Sequence, residues 1–322
     1  MEDLEQRIFS IQNTEDFESV ALEVFRYQYA HVHTYRDFVD LLGSPSPHSL
    51  TEIPFLPIEF FKSQRILADG HSSEILFKSS GTQGVRSYHY VAKTQLYKNA
   101  FNQGYNVLMG AAEDQVILAL LPNYLEQENS SLVYMVDHLI QRSAHPLSGF
   151  FLDDHAALIE HYQLACEEGR KVVIFGVSYA LLDLAERNID LSYAQIVETG
   201  GMKGRREELT KGALHNRLQE GLNCKSISSE YGMTELLSQA YSLKNGLFQC
   251  SPSLKILIRD SNDPLSYVEE GKTGGINVVD LANLYSCSFI ETQDLGRMYG
   301  DQFELLGRID LADQRGCNLM IQ

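Results

Sequence analysis

Between residues 115 and 228 the chain repeats one pattern: a short apolar run, then a longer segment with helical spacing. Gln115–Leu121, Lys171–Phe175, Ala194–Glu198 and Ser226–Ser228 read as strands. Ser131–Arg142, Asp154–Glu168, Tyr179–Asn188 and Arg206–Gly221 read as helices. Strands alternating with helices specify an α/β fold, a mostly parallel sheet covered by helices on both faces. A helical stretch precedes this body. From Thr14 to Leu42 apolar residues recur at helical spacing, with Asn13 or Thr14 as cap and Gly43-Ser44-Pro45-Ser46-Pro47 as terminator. After Glu235 the helical signal fades. Leu254–Arg259, Gly275–Val279, Tyr285–Ile290 and Phe303–Leu306 read as strands between Gly, Asn and Asp turns. The expected organisation is a helical start plus α/β body over residues 1–235, then a smaller β-rich subdomain with a short C-terminal segment over 236–322.

Composition removes several functions. With 322 residues, 44% of them hydrophobic, the chain can bury a large core. No apolar run reaches the ~18–20 residues that span a bilayer, and the acidic start does not resemble a secretory signal. A net charge of −17 repels phosphate backbones, so general nucleic-acid binding is not expected. The local basic cluster Lys203, Arg205 and Arg206 fits a solvated loop or a phosphate contact. The five cysteines are odd in number and lack Cys-x-x-Cys spacing, which fits a reduced cytoplasmic protein without disulfides or structural zinc. His31 and His33, two apart on a helix, do not share a face, and His155 and His161 are no better placed for a metal.

Residues 76–88 read Leu-Phe-Lys-Ser-Ser-Gly-Thr-Gln-Gly-Val-Arg-Ser-Tyr, a short apolar strand entering a run of glycine and hydroxyl residues. Glycines let backbone N–H groups turn toward phosphate oxygens, and Ser79, Ser80 and Thr82 add hydroxyl donors. Lys78 and Arg86 flank the loop with positive charge. The loop is not a Walker A motif, because Gly84 is followed by Val85 rather than Lys. Alone, it fits an ordinary polar turn better than a phosphate site. The proline-rich Ile53–Pro57 is expected to brace its entry.

A second segment, Tyr231-Gly232-Met233-Thr234-Glu235, offers an aromatic for a purine face, a hydroxyl for a phosphate oxygen and a carboxylate for Mg²⁺. Alone, it also fits a loop with a buried tyrosine and an exposed glutamate. Gly200 and Gly201 end a strand, where their backbone can lie against a flat base. Asp294 can accept from ribose hydroxyls.

In order, Ser-Ser-Gly-Thr-x-Gly, Gly-Gly, Tyr-Gly-x-Thr-Glu, Asp-Leu-Gly and Gly-Arg-x-Asp span residues 79–310. This ordered set resembles the adenylate-forming superfamily, and the short length with Ile53–Lys62 is most similar to the acyl-protein synthetase family. The resemblance implies the fold of an adenylate-forming N-terminal domain. It implies ATP- and Mg²⁺-dependent conversion of a fatty acid to acyl-AMP, then transfer to a cysteine and hand-over to a partner reductase. By the same resemblance Ser79, Ser80, Gly81, Thr82 and Gly84 clasp the β- and γ-phosphates. Gly200 and Gly201 border adenine and the acyl group, and Tyr231 with Gly232 holds adenine. Thr234 bonds the α-phosphate, Glu235 holds Mg²⁺, Asp294 binds the ribose with Arg308 nearby, and Asp310 occupies the hinge position.

The pattern departs from the superfamily at its end. Twelve residues follow Asp310 where a mobile domain carrying a catalytic lysine is usual, and the last lysine is Lys272. Lys78, Arg86, Lys203 and Arg308 are the cations left to assist adenylation. Cys317 matches the C-terminal acyl-accepting cysteine of the resembled family; a thiolate is nucleophilic and AMP is a good leaving group. It also fits a small buried cysteine in a last strand. Two other readings stay open: an acyl- or aryl-CoA ligase without an acyl-enzyme, and a non-catalytic nucleotide-binding subunit of a reductase complex. A serine hydrolase built on Gly176-Val177-Ser178-Tyr179-Ala180 is disfavoured, since the only histidine after Ser178 is His215. That segment is expected at the rim of an acyl pocket.

Overall fold

The computed structural model describes residues 2–43, 46–79, 85–122, 129–152, 154–200 and 209–308. Three helices open the chain: α1 (Glu2–Ile8), α2 (Thr14–His31) and α3 (His33–Leu42). The Asn13 side chain caps α2 by accepting from the Asp16 N–H at 2.9 Å. The single helix expected from Thr14 to Leu42 is therefore two. Val32 takes extended backbone (φ −108, ψ 97) and is 1% exposed, so a β-branched side chain is buried where the helix breaks. His31 and His33 belong to different helices.

Next come β1 (Leu56–Pro57), α4 (Phe60–Ser63), the hairpin β2 (Ile75–Lys78) and β3 (Tyr88–Val91), and α5 (Thr94–Leu108). The expected alternation follows as β4 (Gln115–Leu120), α6 (Ser131–Ser143), β5 (Gly149–Phe150), α7 (His155–Glu167), β6 (Lys171–Val177), α8 (Ser178–Ala185), β7 (Ala194–Thr199), α9 (Lys211–Leu222) and β8 (Ile227–Tyr231). The remaining strands are β9 (Ala240–Ser242), β10 (Leu247–Cys250), β11 (Leu254–Arg259), β12 (Gly274–Asp280), β13 (Phe289–Tyr299) and β14 (Gln302–Arg308). A turn of 3₁₀ helix, Leu281–Asn283, links β12 toward β13.

One twelve-stranded sheet carries most of these strands in the order β11-β12-β13-β14-β10-β9-β8-β7-β6-β4-β5, with β1 beside β13. Strands β5, β4, β6, β7 and β8 pair in parallel, and β8 pairs antiparallel with β9. The boundary expected at 235/236 thus falls between two strands paired with each other. The proline-rich Leu56–Pro57 pairs in parallel with Ile290 and Glu291 of β13, not with the hairpin that carries the loop.

Strand β4 is buried along its whole length, as a parallel strand covered on both faces must be. Helix α5 buries Leu96, Tyr97, Ala100, Phe101, Gly104 and Tyr105, a stripe at helical spacing. A fully buried aromatic such as Phe101 contributes about 1.5–3 kcal/mol. Gly104 is required for the fit: a Cβ there would stand 2.7 Å from Ser251 Cβ. Gln28 ties α2 to the far end of the chain. Its Nε2 donates to the carbonyls of Asn283 and Leu284 and to Ser288 Oγ, while its Oε1 accepts from the Ser288 N–H. Among the described residues no helix is long and apolar enough to cross a membrane.

Candidate functional site

The phosphate-loop segment leaves β2 and returns through β3. Ser79 and Ser87 close it: the Ser79 N–H donates to the Ser87 carbonyl at 3.1 Å, and Ser79 Oγ accepts from the Ser87 N–H at 2.9 Å. Ser80, Gly81, Thr82 and Gly84 lie outside the described residues. So do Gly201, Lys203, Arg205, Arg206, Asp310 and Cys317.

Tyr231 and Asp294, 63 positions apart, meet directly: the Tyr231 hydroxyl donates to Asp294 Oδ2 at 2.9 Å. Tyr231 ends β8 rather than standing in a loop, and its ring is edge-on to Phe248 and Phe303. Burial holds its hydroxyl protonated, well above the ordinary range, so it acts as a donor. Asp294 faces Arg308 across β13 and β14, with Arg308 Nε 3.7 Å from its Oδ1. Burial raises the Asp294 carboxyl, while the Tyr231 hydrogen bond and the charges of Arg308 and Arg259 pull it down. The Arg308 side chain is 86% exposed and available to a ligand.

Glu235 is 5% exposed, which corrects the picture of an exposed loop glutamate. Burial raises its carboxyl; a hydrogen bond from Ser87 and the charges of Arg308 and Lys62 oppose that. Ser87 therefore joins the base of the loop to the carboxylate expected to hold Mg²⁺. The backbone of this segment is fixed from several sides. Asp280 accepts from the Leu237 and Ser238 N–H groups and from Ser238 Oγ, at 2.6, 3.1 and 2.6 Å. Asn283 Nδ2 donates to the Glu235 carbonyl at 2.8 Å.

His89, on β3, is the residue that couples the two motifs. Its Nδ1 is 2.8 Å from the Thr234 carbonyl and its Nε2 is 2.9 Å from Asn283 Oδ1. Burial pushes its pKa down to about 4, against the pull of these two hydrogen bonds. A neutral ring carries one N–H, so His89 is one proton short of donating to both oxygens. His89 and Asn283 carry no motif of their own in the sequence, and Ser87 and Lys62 lie in segments read there without a role; only their long-range contacts give them one.

A buried charged group lies at the carboxyl ends of β6, β7 and β8, where ligands of parallel sheets bind. Glu198 Oε1 accepts from Ser178 Oγ at 2.5 Å, and its Oε2 is 3.8 Å from Lys211 Nζ and 4.0 Å from His215 Nε2. Burial would raise Glu198, but His215, Lys211 and Ser178 together hold it below the ordinary range. Lys211 Nζ also sits 4.5 Å from the centre of the Phe248 ring, the ring that flanks Tyr231. Ser178 bonds the acid, and His215 approaches Ser229 instead at 3.3 Å. This is not the serine–histidine–acid order of a hydrolase. Gly200, exposed at the end of β7, has nothing within 4 Å of an added Cβ.

The four described cysteines are unpaired. Among the described residues no three His, Cys, Asp or Glu side chains form a metal-binding group. A cleft of about 290 Å³, lined by Lys171, Ser192, Tyr193 and Lys225, lies at the opposite, amino ends of β6 and β7 and contains none of the site residues.

The fold is that of adenylate-forming ligases. A 2-hydroxyisobutyryl-CoA ligase bound to its acyl adenylate superposes with a TM-score of 0.67 at 13% identity, over 93% of this chain and 69% of that one. The same ligase in an open conformation gives 0.66 at 12% identity, over 94% and 77%. ATP-bound MatB from Rhodopseudomonas palustris gives 0.55 at 17% identity, over 72% of this chain and 47% of that one. The chain thus spans about half the length of the MatB chain it matches. The profile of the family described as "Acyl-protein synthetase, LuxE" matches residues 8–322, and the chain belongs to that family. No curated protein matches it.

Proposed function

We propose that this chain uses ATP to activate a carboxylic acid, a fatty acid, as its acyl adenylate in the cytoplasm, and passes the acyl group through Cys317 to a partner reductase. The supporting observation is the convergence of separately encoded groups. The loop base at Ser79 and Ser87, the Thr234–Glu235 segment and the Tyr231–Asp294–Arg308 set are joined through Ser87, His89 and the charge of Arg308. In the first step a carboxylate oxygen attacks the α-phosphorus, the bond to the β-phosphate oxygen breaks, and pyrophosphate leaves. In the second the Cys317 thiolate attacks the acyl carbon, the bond to the phosphate oxygen breaks, and AMP leaves.

The chain's residues divide this work. The loop 79–84 cradles the β- and γ-phosphates with N–H and hydroxyl donors. Gly200, Gly201, Tyr231 and Gly232 border adenine, Asp294 accepts from the ribose, and Thr234 bonds the α-phosphate. Arg308, exposed beside Asp294, supplies cationic help that the superfamily draws from a mobile lysine. Mg²⁺, when bound, neutralises charge on the phosphate oxygens. Glu235 suits it: Mg²⁺ takes one or two carboxylates plus substrate phosphates, and a buried carboxylate with no salt bridge among the described residues gains from a cation.

The experiment is ATP–pyrophosphate exchange with Mg²⁺ over a panel of fatty and aryl acids, followed by acyl labelling. Exchange with at least one acid is expected. Cys317→Ser is expected to keep exchange and lose the hydroxylamine-labile label. Exchange with no acid refutes activation; label retained in Cys317→Ser moves the acceptor elsewhere.

A further inference from the structure

Two buried polar side chains near Gly232, Thr199 and Gln239, each carry an unpaired oxygen, and a half-buried carboxyl, Glu230, stands beside them. Thr199, at the end of β7, is 1% exposed and its Oγ1 has no hydrogen-bond partner. Gln239 is 4% exposed and its Oε1 has none. Glu230 is the register partner of Thr199 on β8 and so shares its face of the sheet. Its half-buried carboxyl feels burial and the charges of Glu198 and Lys211 but makes no hydrogen bond among the described residues. Glu230 and Gln239 meet at Gly232, and Thr199 lies beside Glu230 on the neighbouring strand. A Cβ at Gly232 would stand 2.3 Å from Glu230 Oε1 and 3.6 Å from Gln239 Cγ, so the missing side chain at 232 leaves room for both.

Buried polar groups are satisfied in folded proteins, and orphaned ones call for a reason. Here they sit at the carboxyl ends of β7 and β8, beside Gly200 and Tyr231, where the acid must lie if the adenylation reading holds. A plain hydrocarbon chain leaves all three unpaired. A hydroxyl both donates and accepts, so it can donate to Gln239 Oε1 and accept from Thr199 Oγ1 or a protonated Glu230. Burial favours that protonated form, raising Glu230 to about 8.

We infer that the acid activated by this chain carries a hydroxyl group on its acyl chain, bound by Thr199, Glu230 and Gln239; this rests on the adenylation proposed above. The side chains are specificity-determining, since a site built to bond a hydroxyl discriminates strongly against the analogue that lacks it.

The test pairs pyrophosphate exchange with calorimetric binding, using unsubstituted, hydroxy- and amino-substituted acids of matched length. Wild type is compared with Thr199→Val, a near-isostere that removes only the unpaired hydroxyl, and with Glu230→Gln, which keeps hydrogen bonding. A preference for some hydroxy acid of roughly a hundredfold or more in kcat/KM is expected. Thr199→Val should erase much of it while leaving the unsubstituted acid unchanged, and Glu230→Gln should retain most of it. Equal binding of hydroxy and unsubstituted acids, a stronger preference for the amino acids, or equal losses on both substrates in Thr199→Val would overturn the inference. Selective binding of a hydroxy acid without exchange supports this subsite and refutes the adenylation step alone.

Discussion

His89→Ala isolates the coupling between the two motifs. The imidazole meets two buried oxygens, the Thr234 carbonyl and Asn283 Oδ1, and packs edge-on against Phe61 with ring centres 5.8 Å apart. The neutral ring donates to one of them, so truncation strands that oxygen, at a cost of about 1–3 kcal/mol for an orphaned buried group, and adds the loss of ring packing. A destabilisation of about 3–5 kcal/mol is expected, read as a lower urea midpoint at unchanged m. The pH response gives a second readout. The ordinary pKa of 6.5 is pushed down to about 4 in the fold, so the unfolded chain binds the proton first as pH falls. Stability from this residue is complete above about pH 6.5 and falls as pH drops toward 4, by about 3 kcal/mol in all. His89→Ala should lose that component of the acid sensitivity. Because Thr234 and Glu235 are positioned through this ring, KM for ATP in the exchange assay should rise more than that of His89→Asn. An unchanged midpoint at pH 7.5 together with an unchanged KM for ATP would refute the reasoning.

Further outcomes follow from other contacts. Tyr231→Phe removes the donor to Asp294 and leaves a half-buried carboxylate short of one bond; a loss of about 1–2 kcal/mol in urea titration is expected, with KM for ATP raised. Glu230 works in the opposite direction to His89. Its raised pKa makes stability greatest below about pH 4.5 and erodes it as pH rises toward 8, so Glu230→Gln should flatten that slope in melts between pH 5 and 8.5. Gly232→Ala sets a Cβ against the tip of the flexible, half-buried Glu230 side chain, which can swing aside, so the melting temperature should change by only about a degree or two; a fall of many degrees would show that Glu230 is locked in place. The carboxyl of Glu235 is raised by burial, so Mg²⁺ binding should release a proton and tighten as pH rises from 5 to 8.

Where a segment's own residues decide its structure, the sequence could be read directly. The buried strands at 115, 171 and 194 declared themselves as apolar runs, and Asn13 as a cap. Helix α5 was not read because Gly104, Asn99, Asn102 and Asn106 interrupt its apolar period; its stripe exists because Ser251 lies close enough to need a glycine opposite. The break at Val32 was hidden for a similar reason, since tertiary burial rather than local propensity sets it. Order along the chain was enough to nominate Tyr231, Glu235 and Asp294. It was not enough to find His89 or Asn283, whose partners stand 145, 194 and 48 positions away. Nor could it separate the two faces of β8, one carrying Ser229 toward Glu198 and the other Glu230 toward Thr199.

The grip of Gln28 on residues 283–288 has a bearing on synthesis. The ribosome must make about 255 further residues before α2 finds the backbone it is bonded to. Strand β1 likewise waits for Ile290, and Tyr231 waits for Asp294. Such distant pairings are slow to close, and they leave the early helices without their final neighbours while the chain emerges. A nascent chain therefore exposes apolar surface that chaperones can recognise. The proposed nucleotide site needs Asp294 against Tyr231, so ATP can act as a folding ligand only for chains synthesised past residue 294.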